Sequence, residues 1–94
     1  MAVYVVTWDL NKEKPNYAEA RKQFIAHLER YENTKDPGLD SVRFVSTNLS
    51  ASELSEDLRK KLDNNDRIIV TKLVSGNYAG WLNKTVWEWI DARL

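Results

Sequence analysis

Asp9 closes the apolar run Ala2-Val3-Tyr4-Val5-Val6-Thr7-Trp8, and Leu10, Asn11, Lys12 and Lys14 follow it. An acid at the end of a buried strand stands on a rigid mount beside a loop. There its carboxylate can ligate a divalent metal ion or serve as a catalytic group. The same position also suits a carboxylate that caps the next loop by accepting from backbone N–H groups. Residue type alone leaves both readings of Asp9 open.

Other side chains bear on the same chemistry. Asn11, Ser41 and Ser46 fall toward sheet ends, where they can contact a substrate or close turns. Arg59-Lys60-Lys61, with Arg67 a little further on, is the densest basic cluster. Such a cluster can track a phosphate backbone, while cations in the last turn of a helix also complement its dipole. Arg43 projects from a strand and is a further phosphate-contact candidate. Asp63-Asn64-Asn65-Asp66 lacks the glycine and the distal glutamate of a calcium loop and reads as a turn. His27 is the one histidine, with no second ligand in the pattern, and reads as a partly buried side chain. Trp81, Trp87 and Trp89 can stack on unpaired bases or pack against a sheet. No residue stands where a general base is required.

The elements that must position these groups follow from periodicity. Val3, Val5 and Thr7 line one side of the first strand, and Tyr4, Val6 and Trp8 line the other. A strand apolar on both sides is covered on both sides. Asn16 reads as an N-cap, and Tyr17, Ala20, Phe24, Leu28 and Tyr31 predict a helix over about 17–31. A short strand is expected near Tyr31 to Lys35, a turn at Pro37-Gly38, and a strand over Ser41 to Thr47. Ser50 and Glu53 form a capping box, with Leu49 and Leu54 as its hydrophobic staple. Leu54, Leu58 and Leu62 carry that helix to about Leu62, and Arg67 to Val74 is the last strand. Gly76 and Gly80 are breakers, beyond which Leu82, Val86, Trp89 and Ile90 mark a terminal helix within 81–94.

The order β-α-β-β-α-β with an additional C-terminal helix predicts an α+β fold, a ferredoxin-like sandwich. Its 94 residues suit a single domain, 1–94, with a core of about 2–74 and an aromatic helical segment of about 81–94. Two helices cover one side of such a sheet, and the doubly apolar first strand requires a cover for the other. That cover is the tryptophan-rich tail, a second subunit or both, and a homodimer is expected, since an open sheet face would be a large apolar patch.

Composition narrows the chemistry further. Without cysteine, there is no disulfide, thiolate zinc site or cysteine nucleophile. With no signal-like or long apolar stretch, the expected location is the cytoplasm, with no membrane partner. Acidic and basic residues balance at 14 each, and the pI is near 6.6. Phosphate contacts dominate nucleic-acid affinity, so any basic surface here must be local.

Three segments together carry a resemblance: Thr7-Trp8-Asp9-Leu10-Asn11, Asp40-Ser41-Val42-Arg43-Phe44-Val45-Ser46-Thr47, and Asn65-Asp66-Arg67-Ile68-Ile69-Val70-Thr71-Lys72-Leu73. Over roughly residues 3–74 the chain resembles the CRISPR-associated Cas-two-like superfamily, and more closely its stand-alone SinR-family relatives; VapD-type toxins share the architecture. The resemblance implies a ferredoxin-like homodimer in which Asp9 approaches its copy and the pair holds one divalent metal, Mg2+ or Mn2+. It implies metal-dependent phosphodiester hydrolysis of RNA or DNA with Asp9 as the catalytic and metal-binding residue, whereas other members are scaffolds. Asn11, Arg43, Arg59, Lys60 and Lys61 are then the nucleic-acid-binding candidates. The chain departs from the family in carrying Trp8 where tyrosine is usual, and a tryptophan-rich helix where the CRISPR proteins add a strand. The alternative function is a non-catalytic dimeric module that binds a protein or a nucleic acid.

Overall fold

The computed structural model describes residues 1–94. The chain forms β1 (Ala2–Asp9), α1 (Tyr17–Leu28), β2 (Glu32–Thr34), β3 (Val42–Thr47), α2 (Ala51–Leu58), a 3-10 turn (Arg59–Lys61), β4 (Arg67–Lys72) and α3 (Lys84–Asp91). The strands make one four-stranded antiparallel sheet in the order β2-β3-β1-β4. This is the ferredoxin-like α+β arrangement, extended by a C-terminal helix. No helix is long and apolar enough to cross a membrane.

Alternation along β1 divides the interior into two layers. Tyr4, Val6 and Trp8 join Leu10, Phe24, Leu28, Val45, Leu54 and Leu58 in a core between the sheet and helices α1 and α2. The Trp8 and Phe24 rings meet at 5.0 Å, tilted by 55°. Tyr4 reaches through this layer to donate its hydroxyl to the Leu49 carbonyl at 2.7 Å, which satisfies the one polar atom it buries. The Trp8 indole N–H is buried with no acceptor. On the opposite side Val3, Phe44 and Leu73 pack against Val86 and Ile90 of α3. The tryptophan-rich tail therefore covers part of the second face of the sheet, one of the covers that a doubly apolar first strand requires.

Local chemistry sets the element ends. The Ser50 side chain accepts from the Glu53 N–H at 3.1 Å and Glu53 accepts from the Ser50 N–H at 2.9 Å, the reciprocal capping box expected at the start of α2. Asn16 is the N-cap residue of α1 but makes no side-chain cap bond. α1 ends at Leu28 rather than near Tyr31, because the chain must turn at once into β2; the Tyr31 N–H bonds back to the Leu28 carbonyl at 3.0 Å. α2 ends at Leu58 and tightens into the 3-10 turn before Leu62. β4 ends at Lys72, with one more ladder bond from the Leu73 N–H to the Val3 carbonyl at 2.8 Å. The terminal helix begins at Lys84, so Trp81 stands outside it.

A buried acid fixes the approach to α3. Asp36 accepts from the Asn83 N–H at 2.7 Å and from the Gly38 N–H at 2.8 Å. Those two donors, Asn83 first, hold the Asp36 carboxyl below the usual carboxylate range. At the chain end Arg93 pairs with Glu32 at 2.6 Å and lies 4.1 Å from the centre of the Trp89 ring, so α3 is tied to β2.

Candidate functional site

β1 is an interior strand of the sheet, held by β3 on one side and β4 on the other. Its last residue, Asp9, pairs with Arg67 of β4 but lies beyond the β3 ladder, which ends at Thr7, and its side chain is exposed. The carboxylate has no hydrogen-bond or ion-pair partner within the chain. The capping alternative for Asp9 falls to Asn11 instead: Asn11 Oδ1 accepts from the Glu13 N–H at 2.9 Å. Asp9 is left as a rigidly placed, unengaged acid.

Its neighbours come from β4 and from the loop after β1. Arg67 stands directly across the ladder from Asp9. One shallow cleft of about 250 Å³ is lined by Thr7, Trp8, Asp9, Arg67, Ile68 and Ile69. A second, of about 470 Å³, runs from Asp9 and Arg67 past Asn11, Lys12, Glu13 and Asn65. Arg67 also borders a polar cleft of about 480 Å³ whose lining includes Arg59, Lys60 and Asn64. The guanidinium is steadied by donating to the carbonyls of Asn64 at 3.1 Å and Asp66 at 2.9 Å.

The loops that present these groups are tied together by Asp66, whose side chain is fully buried. Its Oδ1 accepts from the Asn11 N–H at 2.9 Å, and its Oδ2 accepts from the Asp63 N–H at 3.0 Å and from Lys14 Nζ at 2.9 Å. Lys14 also reaches Asp63 at 3.0 Å. Burial pushes the Asp66 carboxyl up, but the two N–H donors and the ammonium outweigh it, and the net displacement is downward. Hydrogen bonds that Lys14 donates to Asp66 and then to Asp63 raise its ammonium above its ordinary value. The turn read at Asp63-Asn64-Asn65-Asp66 is thus a clamp between the loop after β1 and the start of β4.

The remaining candidates distribute unevenly. Asn11 shares the Asp9 cleft. Arg59 and Lys60 lie one cleft away, and Arg67 and Ile68 border both clefts. Lys61 lines a separate groove with Lys14, Asn16 and Gln23. Arg43 is paired with Val6 in the ladder and so lies on the α1–α2 side of the sheet. There it is buried and bound to Glu29 at 2.9 Å and to Asn33 Oδ1 at 2.8 Å. A guanidinium held in this way packs the fold together and does not share a surface with Asp9. His27 is largely buried, with Nε2 2.9 Å from the Asp57 carbonyl. Asp57 also accepts from Arg30 and from the Tyr31 hydroxyl. Burial raises the Asp57 carboxyl, and those partners bring it below its ordinary value on balance.

Residue pattern alone does not single out Arg67 beside Asp9, because that pairing depends on the β1–β4 register. As to metal, no group of three or more acid or histidine side chains that could hold an ion occurs in one copy of the chain. The other carboxylate lining the Asp9 cleft within one copy is Glu13. Comparison with protein-family models, with curated proteins and with solved structures finds no match to this chain.

Proposed function

We propose that two copies of this chain pair as a Cas-two-like homodimer whose two Asp9 carboxylates bind one divalent ion, Mg2+ or Mn2+, and that the pair hydrolyses phosphodiester bonds in RNA or DNA. The observation that carries this reading is Asp9 itself, an exposed carboxylate without an internal partner at the end of an interior strand. Magnesium commonly binds through one or two protein carboxylates and keeps several waters, so a symmetric Asp9 pair suits it. When bound, such an ion lowers the pKa of a coordinated water and stabilises charge on a phosphoryl oxygen. Around it, Arg67 and Lys12 on the cleft rims are the cations suited to a phosphate, and Asn11 offers an amide to the same groove. On this reading the dimer works in the cytoplasm.

The test compares wild type with Asp9→Ala on end-labelled single-stranded RNA and double-stranded DNA, with Mg2+ or Mn2+ against EDTA. The expected result is metal-dependent cutting by wild type alone, with Mn2+ bound by wild type and not by the variant in electron paramagnetic resonance. Cutting that survives Asp9→Ala sinks the assignment.

A second reading, a non-catalytic dimeric module, is favoured by the way polar groups around Asp9 are already engaged. Asp66, Lys14 and Asn11 Oδ1 are spent on loop geometry and are not free to act on a substrate beside Asp9. Salt separates the partners of such a module. Binding to nucleic acid through phosphates weakens steeply as salt rises, whereas an apolar protein interface responds little.

A further inference from the structure

Trp81 is 98% exposed, the most exposed large apolar side chain in the protein. It belongs to the connection between β4 and α3, flanked by Gly80 and Leu82. Both flanking residues line an apolar cavity of about 220 Å³ between that connection and the second face of the sheet. Val5, Val42 and Phe44 supply its sheet side. Tyr78 and Trp87 supply the other, their rings stacked 6.1 Å apart. No charged residue lines it. A knob and a hole of matching chemistry therefore sit side by side on one surface.

We infer that Trp81 of each copy inserts into this cavity of a second copy, in a reciprocal exchange about a two-fold axis. A two-fold interface uses the same patch on both subunits, so the patch must be complementary to itself. A protruding indole beside an indole-sized hollow meets that condition. An apolar cavity of about 150 Å³ takes up benzene, so 220 Å³ has room for the larger bicyclic ring. The absence of charge in the lining argues against a phosphate or a charged peptide as occupant.

Area sets what else such an interface must cover. A buried aromatic side chain removes about 150–250 Å² from water. Two Trp81 side chains come to roughly 400 Å², and stable specific interfaces start near about 1,200 Å², so the surface around the cavity must supply the larger part. Further apolar area is available on the same surface. Leu39, another lining residue, is 38% exposed, and Ile69 is 59% exposed. Ile69 pairs with Thr7, which alternates with Val5, so it lies on the same sheet face as the cavity floor. The exchange rests on the homodimer proposed above but not on Asp9 or on a metal.

The experiment is the oligomeric state of the full chain by light scattering and sedimentation, from low to high micromolar concentration. Wild type is expected to be dimeric at tens of micromolar. Trp81→Ala removes the knob, and Leu39→Asp places a charge on the hole. Both sites are solvent-exposed, so each variant should keep its circular dichroism spectrum and remain monomeric, with dissociation constants raised roughly a hundredfold or more, as for buried aromatic hot spots. Mixing the variants restores one intact knob-and-hole contact per heterodimer, and partial recovery of dimer is expected. Variants that dimerise like wild type overturn the exchange and leave the homodimer standing. Wild type that stays monomeric at tens of micromolar overturns both.

Discussion

At the scale of single residues, the chain depends on acids placed where backbone donors have no other acceptor. Asp66 binds two N–H groups and the Lys14 ammonium with no side-chain exposure. Asp66→Ala leaves those donors unpaired, and the expected loss is about 3 kcal/mol in urea unfolding at neutral pH. The pH dependence has a definite sign. The Asp66 carboxyl is held below its unfolded value, so its stabilisation is complete above that value and is lost as pH falls through the lower, folded one. Wild type should therefore lose stability below about pH 4, and the gap between wild type and Asp66→Ala should narrow there. A gap that stays constant from neutral to acid pH would exclude an ionised Asp66 as the clamp. The turn itself was legible, because Asp and Asn cluster between two apolar runs. Which of the two acids would be buried was not, since that depends on Asn11 and Lys14 arriving from 55 and 52 residues away.

At the scale of elements, what could be read from the chain was what is decided locally. The capping box at Ser50 needs only residues three apart, and it is present as written. Alternation in β1 separates Tyr4, Val6 and Trp8 from Val3 and Val5, and the two cores divide along that line. The ends of α1 and α2 were not readable, because apolar spacing continues through Tyr31 and Leu62 while tertiary turns stop the helices earlier. Nor was the Asp36–Asn83 tie, a contact across 47 residues that aligns α3 with the sheet. That helix contributes core as well as cover. Ile90 is fully buried against the Val3, Phe44 and Leu73 layer. Ile90→Ala should cost about 3 kcal/mol through lost burial and the cavity left behind, read as a lower urea midpoint. A loss below about 1 kcal/mol would mean that α3 rests loosely on the sheet.

At the scale of the whole molecule, the C-terminal segment covers one part of the second sheet face and leaves the Asp9 end open. Val3 is fully buried, yet Ile69 on the same face is 59% exposed and Asp9 lies beyond it. The open part thus joins an apolar stretch to an acid, and both bear on the proposed pairing. Two copies that meet there bring like carboxylates toward each other across the axis. For exposed charges a few ångströms apart that repulsion is worth about 1 kcal/mol, or roughly fivefold in dimer affinity. A bound divalent ion reverses the sign. Asp9→Asn, which keeps the shape and removes the charge, should therefore tighten the dimer about fivefold in EDTA. Mg2+ should tighten the wild-type dimer and leave Asp9→Asn unchanged. Sedimentation of both proteins with Mg2+ and with EDTA checks the four states together. If the two proteins associate equally in all of them, the Asp9 carboxylates do not meet at the seam, and any metal site must lie elsewhere.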